Sequence, residues 1–265
     1  METSTADLIE YACSDGVATI ALNRPEKLNA FNDDLVRALA RALQRFDLDP
    51  EAQVAILYGH GRAFSSGADV QQRQLRSREE FEALGGPQAR DAHSADLFSR
   101  AVNWKPVIAA PHGYAMGLAL GIVFESDLVV AAAGTRFQIT ETPRGLGGAR
   151  YWALLNFRGA GAFAEEVALT GRFFTAEEAL AAGLVNRVAP EGRHLDTARE
   201  LAREVAKNPP LSVRATVRTR RWYMDRLLRE VMMQTAPLKL HLTEDFREAA
   251  RAFAEKRQPG PFKGR

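Results

Sequence analysis

Cysteine is almost absent from this sequence: Cys13 stands alone among 265 residues. One thiol cannot close an internal disulfide, and no metal-ligand spacing surrounds it. The expectation is a reducing compartment, with the cytoplasm as the default. The opening residues, Met1 to Asp7, have neither the basic, apolar pattern of a signal peptide nor the arginine-rich pattern of a transit peptide. No apolar run approaches the ~20 residues needed to span a bilayer, so no membrane partner is expected. Neither sign of charge is in excess. With 35 Lys and Arg against 33 Asp and Glu, the net charge of +2 sets up no field that demands nucleic acid or a membrane surface. The sequence also lacks a Gly-x-Ser-x-Gly elbow, a phosphate-loop motif, and any His, Cys, Asp and Glu cluster with metal-ligand spacing, so no metal is expected. What remains, 46% hydrophobic and 26% charged, has the balance of a globular chain with a sizeable core.

What is present centres on Gly61-Arg-Ala-Phe-Ser-Ser-Gly-Ala-Asp-Val70. It follows Val54 to Tyr58, an apolar run of strand length. A strand leading into a turn of small residues brings backbone N–H groups to the surface with no side chain in the way. Asp69 then opens a polar, helix-prone stretch, so those groups would sit near a helix N-terminus. Such a corner suits a developing oxyanion.

In chain order, Gly16 to Asn23 alternates and reads as a strand that Pro25 ends. Asn32 or Asp33 caps a helix whose Leu35, Leu39, Leu43 and Phe46 share one face. Gln71 to Arg100 is polar, is interrupted at Gly85-Gly86-Pro87, and receives no assignment. Lys105 to Ala110 is a short strand, Gly113 to Gly117 a second small-residue turn, and Leu118 to Phe124 a helix apolar on every side and therefore buried. Asp127 to Ala131 is a strand, and Phe137 to Leu146 a strand end and loop. Thr175-Ala-Glu-Glu178 is a capping box with Gly183 as its stop. From Leu195 the chain reads as helices only, broken at Asn208-Pro209-Pro210 and near Pro237. Arg214, Arg218, Arg220, Arg221, Arg226 and Arg229 read as a solvated helix face, and Tyr114 and Trp152 as core or pocket wall. His112 and Asp127 read as structural residues.

FSSGADV, NRPEKLNAF, KPVIAAPHGYAMG, TGRFFTAEEALAAGLVNRV and AFAEKRQPGPFKGR, in chain and in family context, resemble the enoyl-CoA hydratase/isomerase family, the crotonase superfamily. The resemblance spans nearly the whole chain. It implies an α/β fold of the ClpP/crotonase type: a spiral of ββα units over residues 1–195, then a helical region over 196–265 that packs between subunits. It implies an acyl-CoA thioester as substrate, no separate cofactor because coenzyme A enters with the substrate, and a homotrimer or dimer of trimers. It further implies that the backbone N–H groups of Ala68 and Leu118 hold an enolate oxygen, beside Gly117, and that Glu141 is the general acid/base. Leu118 stands where relatives usually have glycine, and its bulk is expected to narrow the pocket. Arg24, Glu26, Lys27 and Leu28 match the segment along the pantetheine and pyrophosphate path. Ser66, Asp69 and Val70 match the wall of the adenine pocket, and Gln71 to Arg100 is similar to the variable wall of the acyl pocket.

One departure matters. Hydratases of this family place two glutamates around a water, and the position of the first is Gly121 here. Glu125 lies one turn further along the same face, where an ion pair with Arg144 or Arg150 is expected. The resemblance therefore implies a hydratase or an isomerase, and it leaves open a crotonase-like hydrolase or a non-catalytic relative that binds acyl-CoA or RNA.

Overall fold

The computed structural model describes residues 8–86, 92–94, 97–98 and 104–265. The chain opens with β1 (Ile9–Ser14), which had no counterpart in the sequence reading, and β2 (Val17–Leu22). They pair antiparallel across Asp15 and Gly16, whose φ values of 53° and 76° match the twist of a two-residue hairpin. Helix α1 (Asp33–Leu48) follows; the Asn32 side chain accepts from the Leu35 amide at 2.8 Å. Leu35, Leu39, Leu43 and Phe46 are all buried, as their spacing predicts.

Four further strands join the same sheet: β3 (Val54–Gly59), β4 (Val107–Ala109), β6 (Leu128–Ala132) and β9 (Arg187–Ala189). The order is β1-β2-β3-β4-β6-β9, parallel from β2 onward. Between them come β5 (Tyr114–Met116), β7 (Arg136–Gln138) and β8 (Phe173–Thr175), which form a second sheet in the order β5-β7-β8. From β4 to β9 the chain passes back and forth between the two sheets, and helices lie between many of the strands. This is the expected α/β spiral. One reading is corrected: Gly113 to Gly117 is a strand with a tight turn at each end, because β5 is fixed by pairing to β7 and by a bridge from Ser65 to Ala115. Tyr114 also lies on the surface, not in the core, with the Arg136 guanidinium 6.0 Å from its ring centroid.

The segment left unassigned contains α2 (Val70–Arg73) and α3 (Arg78–Leu84), the latter opened by a Ser77/Glu80 capping box. Helix α4 (Leu118–Glu125) is buried from Ala119 onward. Then come α5 (Ala149–Phe157), α6 (Gly161–Thr170) and α7 (Ala176–Ala181), which carries the predicted Thr175/Glu178 capping box.

The chain ends in helices α8 (His194–Ala206), α9 (Pro210–Thr235) and α10 (Glu244–Ala254). Ala198 and Ala202 of α8 pack on Val54, Ile108 and Val130 of the larger sheet. The arginines of α9 do not form one solvated face. Arg220 and Arg221 both bind the buried Asp127 carboxylate, because the turn before β6 presents it to the helix. Asp127 also accepts the Val107 amide at 2.8 Å, in keeping with its structural reading. Among the described residues, no helix is long and apolar enough to cross a membrane.

Candidate active site

The two small-residue turns meet. Ser65 donates its amide to the Tyr114 carbonyl at 3.0 Å and accepts from the Met116 amide at 3.2 Å. Gly67 makes the approach possible: its φ is 93°, and a methyl group there would stand 2.5 Å from the Met116 carbonyl oxygen. The same methyl position is 3.8 Å from the Leu118 nitrogen, so Ala68 and Leu118 begin from adjacent backbone.

The orientation of both N–H groups follows from the pairing. Ala68 forms a parallel bridge with Phe31, in which the Gly67 carbonyl and the Asp69 amide make the bonds, at 2.8 and 2.9 Å. The Ala68 N–H therefore faces away from that bridge. Leu118 is the first residue of α4, where an N–H has no partner within the helix. Its side chain is partly buried and packs against the main core. Two backbone N–H groups thus start from neighbouring stretches of the chain.

A cleft of about 820 Å³ runs past this corner, lined by Arg24, Lys27, Ser66, Ala68, Asp69 and Val70 of the residues singled out from sequence. Met116, Arg144, Phe253 and Lys256 also line it. Glu26, Leu28, Gly117, Leu118 and Glu141 do not. Arg24 is held by its ion pair with Asp69 at 2.8 Å and by a bond to the Ala30 carbonyl at 2.8 Å. Asp69 also caps α2, accepting the Gln72 amide at 3.3 Å. Glu26 is exposed on a 3₁₀ turn, while the Leu28 carbonyl accepts the Ser66 amide at 2.9 Å. Asn29 fastens this edge: its Nδ2 donates to the His60 and Ala63 carbonyls, each at 2.9 Å. A buried asparagine beside a proline turn was the available signal for that role, and the sequence reading did not use it.

Glu141 stands against Gly117. A methyl group on Gly117, whose φ is 50°, would lie 2.4 Å from Thr140 Oγ1 and 3.0 Å from Glu141 Oε1. Tyr151 donates its hydroxyl to Glu141 Oε1 at 2.8 Å, and Thr140 donates to Oε2 at 3.3 Å. Burial raises the carboxyl above its ordinary value, and the Tyr151 bond opposes that rise. Tyr151, in the helix after the loop, went unnoticed in the sequence. Nothing in the local pattern distinguishes it from a core tyrosine.

The position of the missing glutamate is filled. A Cβ on Gly121 would meet Arg150 Nη1 and Tyr151 Cε1, each at 3.1 Å. Arg150 pairs with the buried Glu125, as the second of the two expected partners, and its guanidinium lies 5.8 Å from the Tyr151 ring centroid. A side chain introduced at Gly121 would displace this group. Arg144, the other partner considered for Glu125, instead stacks over Phe253 at 4.1 Å. Trp152, 39% exposed, is not a core residue. His112 is structural, its ring nitrogen 2.9 Å from the Gly61 carbonyl. Among the described residues, no group of three or more His, Cys, Asp or Glu side chains is placed to hold a metal ion.

With this geometry in view, residues 12–265 match the family described as Enoyl-CoA hydratase/isomerase. The chain is 36% identical over 249 residues to a putative enoyl-CoA hydratase of Thermus thermophilus, covering 92% of this chain and 96% of that protein. It is 34% identical over 255 residues to the (E)-benzylidenesuccinyl-CoA hydratase of Thauera aromatica, covering 95% and 97%. A crystal structure of an enoyl-CoA hydratase/isomerase from Pseudoalteromonas atlantica superposes with a TM-score of 0.82 at 28% identity, over 96% of this chain and 100% of that one. The two sheets and the helices around them are the crotonase fold, and the chain belongs to the enoyl-CoA hydratase/isomerase family, enzymes that act on acyl-CoA thioesters.

Proposed function

We propose that this protein transfers a proton at the acyl carbons of an unsaturated acyl-CoA thioester, with Glu141 as the sole acid/base group. The observation that carries the reading is the placement of Glu141 against Gly117, next to the first amide of α4, with Tyr151 holding its carboxylate. As water adds to the β carbon, Glu141 accepts its proton, and electrons move through the α carbon to the thioester oxygen. The Ala68 and Leu118 N–H groups hold that oxygen as an enolate, each contributing about 3 kcal/mol of transition-state stabilisation. Glu141 then returns the proton to the α carbon. Arg24, Lys27, Ser66, Asp69 and Val70 line the path for coenzyme A, which arrives as part of the substrate. The similarity to two hydratases supports water addition.

Double-bond migration is a second reading, and Gly121 favours it: moving a proton between two carbons needs one base, and the face of α4 at Gly121 holds Arg150 and Tyr151 where a second carboxylate would stand. A hydrolase that uses Glu125 is disfavoured by the ion pair that already occupies it. Trimeric or hexameric assembly and a cytoplasmic setting complete the proposal.

The test is a panel of unsaturated CoA thioesters read for both hydration and double-bond migration. Turnover without release of coenzyme A is the expected result. Tight binding with no turnover identifies a binding protein, and release of coenzyme A identifies a hydrolase; either overturns the proposal.

A further inference from the structure

Arg144 differs from the other arginines that are withdrawn from solvent near the cleft. Arg24 pairs with Asp69, Arg76 with Asp33, Arg150 with Glu125, and Arg221 with Asp127. Arg144 has no carboxylate within 4.0 Å among the described residues. Its side chain makes one long hydrogen bond, from Nη1 to Gln74 Oε1 at 3.4 Å, and lies 4.1 Å over the Phe253 ring. A guanidinium offers five N–H donors in a planar fork, so most of this one's donor capacity has no partner. Burial penalises the charge and lowers the proton affinity of this group, and the charge of Glu141, which is not in contact with it, offsets that only in part.

The position of Arg144 is fixed relative to Glu141. Its amide donates to the Glu141 carbonyl at 3.2 Å, closing one turn of the loop, and its side chain lines the cleft that also contains Ala68 and Met116. Arg24 and Lys27, the cations of the Arg24–Lys27 turn, are fixed by a different segment of the chain. Arg144 thus brings a cation to the cleft from the loop that carries the base. Unpaired, planar and stacked on an aromatic ring, it has the geometry that binds a carboxylate through two parallel hydrogen bonds.

We propose that Arg144 receives a carboxylate carried on the acyl group, so that the substrate class is the mono-CoA thioester of a dicarboxylic acid. This rests on the reading that Glu141 works at the acyl carbons.

The test uses the full chain and two saturated probes, glutaryl-CoA and its methyl ester, titrated by calorimetry. Neither probe has a double bond, so binding is read whether or not the protein turns over unsaturated thioesters, and failure of that activity is scored separately on the panel above. The acid is expected to bind at least ~10-fold more tightly than the ester to the native chain, as for a desolvated charge pair. In Arg144→Met that ratio should fall to near one, and Arg144→Lys, which keeps the charge without the fork, should lie between. Equal affinities for acid and ester in the native chain overturn the proposal, and this arm needs no variant to fold. A preference that survives Arg144→Met overturns it as well. Parallel weakening of acid, ester and free coenzyme A in the variant would assign Arg144 to a coenzyme A phosphate, which also overturns it.

Discussion

Glu141 is under two opposed influences. Withdrawal from water favours its neutral form, while the Tyr151 hydroxyl, donating at 2.8 Å, favours the carboxylate. A base must be ionised to act, so the acid limb of the rate profile should lie above the ordinary carboxylate range. Replacing Tyr151 with phenylalanine removes the strongest of the interactions that oppose burial. The carboxyl should then hold its proton to higher pH, and the acid limb of kcat/KM should move upward, with activity lost most at the acid end. A pH–rate profile of Tyr151→Phe checks this; an unchanged limb would show that Tyr151 does not act on the base. The small-residue stretches that carry Ala68 and precede Leu118 were legible because glycine leaves its mark in sequence, whereas Glu141 was singled out only through the family resemblance. Tyr151, Arg144 and Phe253 were not legible, because each reaches the site from its own segment by long-range packing that no local pattern encodes.

At the scale of elements, the long ones were legible and the short ones were not. Helix α1 shows four apolar residues at helical spacing, and α4 is apolar on every side. Strands β5, β7 and β8 have three residues each, too few for any periodicity, and exist because they pair with one another. The basic stretch of α9 was misread for a related reason: sequence shows charge but not its partner. Arg221, only 4% exposed in its side chain, and Arg220 clamp α9 to the turn before β6 through Asp127. Asp127→Ala removes the carboxylate that both guanidinium groups share, which should cost about 3–5 kcal/mol. Urea denaturation is the measurement. A second substitution, Arg221→Met, should recover part of the loss, and a cost below ~1 kcal/mol for Asp127→Ala alone would refute the clamp.

For the molecule as a whole, α9 leaves large apolar side chains in water: Trp222 and Tyr223 are each 57% exposed and Met233 73%. A stable monomer rarely shows such a surface on one helix. The expectation is a homotrimer or a dimer of trimers that covers it. Sedimentation at micromolar concentration should give three or six times the chain mass of 29.2 kDa, and a sharp monomer would contradict the assembly. The fold also brings together three features that no single segment holds: a cleft, two backbone N–H groups, and one buried carboxylate. Glu141→Gln tests their combination most directly, because the amide keeps the size of the side chain and its bond from Tyr151 while removing the base. With an unsaturated thioester that the native chain turns over, kcat should fall ~100-fold or more, while calorimetric affinity for the thioester changes little. Full turnover by Glu141→Gln would contradict the account.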